Sequence, residues 1–169
     1  MKISILCVCP GSSYYDLAKK YNLELFDIAR DAFSFNFNSP VIAHPPCPQW
    51  SRLHKFANFN APEKALAAYC MEAVNSCGGI FEHPAGSHFF RYSGFLPNHS
   101  VDQSWWGFPC RKRTYLRFVS CSPLSVPLRL SQPLPHLQHA LHGSSRSRSP
   151  LAFNEWLIRS LLETFQTSG

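Results

Sequence analysis

No stretch of this 169-residue chain comes near the roughly 18 consecutive apolar residues that a membrane-crossing helix needs. A spanning helix is therefore excluded from the readings, and no membrane partner is expected. The opening Met1-Lys2-Ile3-Ser4-Ile5-Leu6-Cys7-Val8-Cys9 has a lysine before an apolar stretch, but that stretch is too short for a leader peptide. The Pro-Gly and polar Ser-Ser-Tyr-Tyr-Asp that follow read as strand, loop and helix. Paired metal-ligand spacing is also missing. The chain has seven cysteines and eight histidines but no Cys-x-x-Cys pair, and His44-x-x-Cys47 with His83 is a poor substitute, so no metal site is expected. An odd cysteine count without a secretion signal points to reduced thiols and a cytoplasmic setting. Acidic residues are few, 10 against 16 basic, and the net charge of +6 favours an anionic partner.

A hydrophobic content of 45% is too high for a disordered chain, and the length suits one domain with a substantial core. Up to Pro84 the pattern alternates strand and helix. Residues 3–8 predict a strand, 14–21 a helix capped by Ser12 or Ser13, and 23–26 a second strand ending at Asp27. Strands at 40–43, 79–82 and 114–119 and helices at 62–76 and 150–165 complete the pattern. The expectation is a single-domain α/β fold with a parallel-rich, Rossmann-like sheet and flanking helices.

Three segments carry candidate chemistry. In His44-Pro45-Pro46-Cys47-Pro48-Gln49-Trp50-Ser51, two prolines fix φ and remove two donors, so the chain leaves a buried strand as a stiff elbow that displays Cys47. The alternative is a structural turn before a buried cysteine. Gly78-Gly79-Ile80-Phe81-Glu82-His83-Pro84 places an acid at the end of a short strand. Gly107-Phe108-Pro109-Cys110-Arg111-Lys112-Arg113-Thr114-Tyr115 runs an arginine cluster into another strand. Open α/β sheets bind ligands outside the carboxyl ends of their strands, so all three segments lie where a site is expected.

Pro-Pro-Cys, then strand-Glu-x-Pro, then Arg-x-Arg-x-Tyr, in that order over residues 3–120, resembles the cytosine-C5 DNA methyltransferase family. The resemblance implies a methyltransferase-like core with Cys47 as nucleophile, Glu82 holding a pyrimidine base, and Arg111 and Arg113 lining the same pocket. Cys47, Glu82 and Arg113 are then the catalytic candidates, with His44, Trp50, His83, Trp106 and Arg111 as substrate contacts. S-adenosylmethionine is the implied cofactor, with Pro10, Gly11, Ser12 and Asp27 as its candidate contacts. The chain departs from the family in three places. His83 follows the glutamate where the family has Asn. Cys110 lies near the position of the family's Gln. The first loop, Cys9-Pro10-Gly11-Ser12-Ser13, keeps one glycine where the family pattern has two. No region for reading DNA sequence has a counterpart in a chain of this length. Two other readings stand beside the enzyme. One is a phage-type binder that sequesters a nucleotide or a nucleotide-derived immune signal and so counters host defence. The other is a thiol hydrolase pairing Cys47 with His44 or His83. The partner in the first two is a nucleic acid or nucleotide, and a homo-oligomer is compatible with either.

Two stretches break the alternation. Residues 85–106 form a long segment dense in aromatics, among them Phe89, Phe90, Tyr92, Phe95, Trp105 and Trp106, read as a loop that either stacks a base or covers the sheet. Residues 122–149, rich in proline and serine and carrying His136, His139, His142, Arg146 and Arg148, are read as an extended surface segment. Asp27 has a simpler alternative as a turn residue, because Asp bonds readily to nearby backbone.

Overall fold

The structure, a computed structural model, describes residues 1–51, 60–127 and 148–166. His136, His139, His142 and Arg146 lie outside the described residues, as does most of the segment read as extended.

Six strands form one sheet: β1 (Ile3–Leu6), β2 (Leu23–Leu25), β3 (Val41–Ala43), β4 (Gly79–Pro84), β5 (His99–Asp102) and β6 (Arg113–Val119), in the order β2-β1-β3-β4-β6-β5. The first four strands run parallel, whereas β6 is antiparallel to both β4 and β5. The sheet is therefore mixed, which corrects the expectation of a parallel-rich sheet. The cause lies in residues 85–106. They are not a loop: they hold a short helix, α3 (Phe89–Ser93), then β5 and a 3-10 turn at Gln103–Trp106. β5 has the sequence HSVD, two exposed residues and then two buried ones, so no apolar alternation marks it as a strand. Its return into β6 forces the antiparallel half.

Helices cover both faces. α1 (Tyr14–Leu17) and α4 (Leu151–Gln166) pack on one face with Ile3, Ile5, Ile42, Ile80, Leu116 and Phe118. α2 (Ala61–Cys77) covers the other over Leu6, Val41, Ala43 and Phe81. Ile42 faces one way and its neighbours Val41 and Ala43 the other, as strand pleating requires. α2 starts where the Asn60 side chain accepts from Glu63 N, with Pro62 in the first turn, and stops at Gly78, whose φ is 73°. Ala67, Cys70 and Ala73 on its buried face are small, which lets the helix lie close to the sheet.

The aromatic segment is mostly core. Phe89, Phe90 and Phe95 surround Phe81, with Phe89 stacked on it at 5.0 Å between ring centroids. Trp106 packs beneath α4 against Phe153 and Trp156, on the face opposite α2. Among the described residues no helix is long and apolar enough to cross a membrane.

Candidate functional site

The carboxyl ends of β1, β3 and β4 open into one pocket of about 350 Å³, within the usual range for small-ligand sites. Cys47 and Glu82 both line it, together with His44, Ser12, Tyr14 and Lys112. Cys7 and Cys9 from the end of β1, and Ser149 and Asn154 from the start of α4, complete much of the wall.

The elbow that carries Cys47 is pinned from behind. Residues Pro48–Trp50 form a 3-10 turn directly after Cys47, and the Trp50 ring is buried against Phe89 at 5.1 Å. His88 N donates to Trp50 O at 2.8 Å. His83 is fully buried under the elbow, beside the Pro45 and Pro46 backbone, with its Nδ1 2.7 Å from Ser87 Oγ. Burial pushes its pKa down to about 4, so at neutral pH it is an uncharged support and not a cationic contact. Trp50 and His83, both candidate substrate contacts, are thus absent from the pocket lining and hold its wall in place.

Within the pocket the polar groups are connected. His44 Nδ1 lies 2.9 Å from Glu82 Oε2, and its Nε2 lies 2.8 Å from the Tyr14 hydroxyl. Burial alone would raise the Glu82 pKa, but the His44 hydrogen bond and the nearby His44 and Lys112 charges outweigh it and leave the carboxyl below its ordinary value. Glu82 is therefore an anion at neutral pH. A carboxylate only accepts, so His44 Nδ1 carries a proton and donates it to Glu82 Oε2. His44 Nδ1 is the hydrogen-bond partner of the Glu82 carboxylate among the described residues.

The cation of this pocket is Lys112. Arg113 and Arg111 are exposed on either side of it and line nothing in the pocket, so Arg113 does not converge with Cys47 and Glu82 as expected. Burial alternates, and Lys112 falls in step with the buried Thr114, Leu116 and Phe118. Asp102 helps hold that register by accepting from Lys112 N at 3.0 Å. Lys112 Nζ donates to Arg148 O at 2.9 Å and lies 4.8 Å from the Phe108 ring centroid. Burial lowers its pKa, and the Glu82 charge opposes that change. The middle position of Arg-Lys-Arg, one step out of phase with both arginines, was the available signal. Tyr14 was also missed, although it directly follows the loop that leaves β1.

The residues expected to hold S-adenosylmethionine do not form one open cradle. Ser12 lines the pocket, whereas Pro10, Gly11 and Asp27 do not. Gly11 adopts φ 73°, but a Cβ there would come within 2.6 Å of Arg148 Nη2, so a guanidinium fills the space beside it. Both Asp27 oxygens are engaged: Oδ2 accepts from the Tyr15 hydroxyl at 2.6 Å and Oδ1 from Ala29 N and Arg30 N. Asp27 is thus a turn residue, as its simpler reading had it. As they stand, these residues do not fit the cofactor. Trp106 is likewise core and is not among the residues that line this pocket. Among the described residues no three His, Cys, Asp or Glu side chains are grouped to hold a metal ion. No protein-family model and no curated protein matches the chain.

Proposed function

We propose that the pocket binds a pyrimidine base or nucleotide, with Glu82 accepting from the ring edge, Lys112 donating to a carbonyl or phosphate oxygen, and Cys47 against the ring. The observation that carries this reading is the placement of Cys47 and Glu82, brought from separate strand ends, in a single pocket with a buried cation. An ionised Glu82 selects a donor, either the cytosine amino group or the N3–H of uracil or thymine. Lys112 selects the neighbouring acceptor. Purines present a wider edge to the same groups and are expected to bind more weakly. The protein's own chemistry here is that of a binder that holds its nucleotide, whether to act on it or to sequester it, including a nucleotide-derived signal of host defence.

Calorimetric titration with cytidine 5′-monophosphate and uridine 5′-monophosphate tests the reading. Lys112→Met keeps the stem and removes the charge, and it is expected to weaken binding by about 1.5–3 kcal/mol, the range for a charged hydrogen bond. Arg113→Ala is expected to change it by less than about 0.5 kcal/mol, the scale of surface substitutions. The reverse order, or no binding by the wild type, overturns the reading.

A second reading, methyl transfer from S-adenosylmethionine, is supported by the same pair, Cys47 and Glu82. It requires Arg148 to leave Gly11. Binding of that cofactor by Arg148→Ala but not by the wild type would show that this contact is what excludes it.

A further inference from the structure

β1 does not leave the sheet as strand pleating dictates. Ile3 and Ile5 face α1 and α4 while Leu6 faces α2, so the next residue, Cys7, would point back to the side of Ile5. It does not. Cys7 adopts φ 64°, a left-handed conformation uncommon outside glycine, and packs with Leu6 in the cluster on the α2 side. The turned side chain meets α2. Cys7 Sγ lies 3.6 Å from Cys70 Sγ, across 63 positions of sequence. Cys70 is fully buried beside Ala67, Ala73 and Val74, whereas Cys7 is half-buried and lines the pocket with Cys9 and Cys47. One sulfur of the pair is open to the pocket and the other is sealed behind it. Packing alone does not call for a left-handed cysteine at this point, and strained residues of this kind cluster at functional sites.

We propose that Cys7 and Cys70 are a site of reversible oxidative modification, closed to a disulfide by a hydroperoxide that enters through the pocket. Disulfide formation needs no nucleotide and does not depend on the pyrimidine reading. Cys7 gives up its proton and its sulfur attacks one peroxide oxygen: the S–O bond forms, the O–O bond breaks, and the departing hydroxide takes up that proton as water. The Cys70 sulfur then attacks the Cys7 sulfenic acid, the S–O bond breaks, and hydroxide leaves with the Cys70 proton as a second water. The two sulfurs supply the two electrons that reduce the peroxide. A small dithiol reverses the step by exchange. The Cys7 hydrogen bond, followed by burial, pushes the Cys70 thiol well above its ordinary range, so Cys70 stays protonated and inert until its neighbour is oxidised. Position offsets its low nucleophilicity. The sulfurs are already in contact at 3.6 Å and need to close by only about 1.5 Å to reach the covalent length near 2 Å. The bond ties the exit of β1 to α2 and draws the Cys7 sulfur off the pocket wall, and a molecule in the pocket shields Cys7 from the oxidant.

Peptide mass mapping tests the proposal on reduced wild type that has been treated with a small excess of hydrogen peroxide, alkylated, and digested with trypsin without reductant. The fragment 3–19, which carries Cys7 and Cys9, is expected to be joined to 65–91, which carries Cys70 and Cys77. Fragmentation spectra should place the bond between Cys7 and Cys70, and dithiothreitol should remove it. Cys70→Ala adds one more small residue to that helix face, and in it Cys7 is expected to hold a sulfenic acid that dimedone traps. A bond from Cys7 to Cys9 or Cys47, or a Cys7 oxidised to sulfinic acid while Cys70 stays a free thiol, overturns the proposal. The wild-type map decides this even should the variant fail to fold. The pocket route has its own readout. With cytidine 5′-monophosphate at about ten times its calorimetric Kd, the bond is expected to form about tenfold more slowly, in step with the fraction of protein left empty. Undiminished oxidation of the loaded protein overturns that route. A wild type that binds no nucleotide removes the pyrimidine reading instead, and the mass map still decides the disulfide.

Discussion

Gly79→Ala is expected to abolish folding. The first residue of β4 adopts φ 138°, a conformation that L side chains rarely take, and an added Cβ would lie 1.9 Å from the Val41 carbonyl oxygen. That oxygen belongs to the backbone of β3 in the centre of the sheet and cannot turn aside as a side chain could. Val41 and Gly79 are register partners, so relieving the clash means parting β3 from β4, which carry the Cys47 elbow and Glu82. A cost beyond about 4–5 kcal/mol is expected, in the range of a small domain's whole stability. Gly94→Ala is the matched control. Its φ of 71° also favours glycine, but nothing lies within 4 Å of the added Cβ. Only the backbone penalty of about 1–2 kcal/mol remains. Soluble yield and far-UV circular dichroism of the two variants decide the matter, and a folded Gly79→Ala protein would show that the β3–β4 spacing is not as described.

Residues whose role is set within a few positions of sequence were the easiest to place. Pro45 and Pro46 stiffen the exit from β3 by their own covalent geometry, so Cys47 lines the pocket at a strand end, where its local sequence puts it. The same holds for Glu82, carried by a strand that the glycine break before it delimits. Roles set by pairing between distant segments were harder to see. Whether Arg113 or Lys112 turns inward depends on the register that β5 and the Asp102 side chain impose on the approach to β6. β5 itself is too short and polar to announce itself. A register change of one residue exchanges every side chain between faces, so a correct strand assignment still put the wrong cation in the site. Aromatic content is blind in another way. Trp106 and Trp50 have the composition of a base-stacking platform, but their partners are Trp156, Phe153 and Phe89, which bury them. The Tyr14–His44–Glu82 chain joins residues 30 and 38 positions apart, a juxtaposition that no local pattern encodes.

The stability of the fold is expected to fall between pH 6.5 and pH 4 because of His83, before most carboxylates titrate. Its pKa is pushed down to about 4 in the folded protein, chiefly by burial, from an ordinary value near 6.5 in the unfolded chain. Between those values the unfolded state binds more protons than the folded one, so stability is fully present above about pH 6.5 and is lost as pH falls toward 4. Each pH unit that separates the folded and unfolded titrations is worth about 1.4 kcal/mol, which makes the full loss about 3 kcal/mol. The loss should then level off. Glu82 adds its own decline only at lower pH, because its folded pKa lies below the ordinary carboxyl value and its contribution disappears as pH falls through that range. The two windows are therefore separable in one experiment. Urea unfolding of the wild type at pH 7.0, 5.5 and 4.5 should show the midpoint falling steadily, with the denaturant slope unchanged. His83→Gln keeps a donor and an acceptor beside Ser87 Oγ and has no proton to gain, so its midpoint should be nearly flat over the same range, whatever its absolute stability. Parallel declines in wild type and variant would place the acid sensitivity elsewhere and deny His83 its role as the neutral support beneath the Pro45–Pro46 elbow.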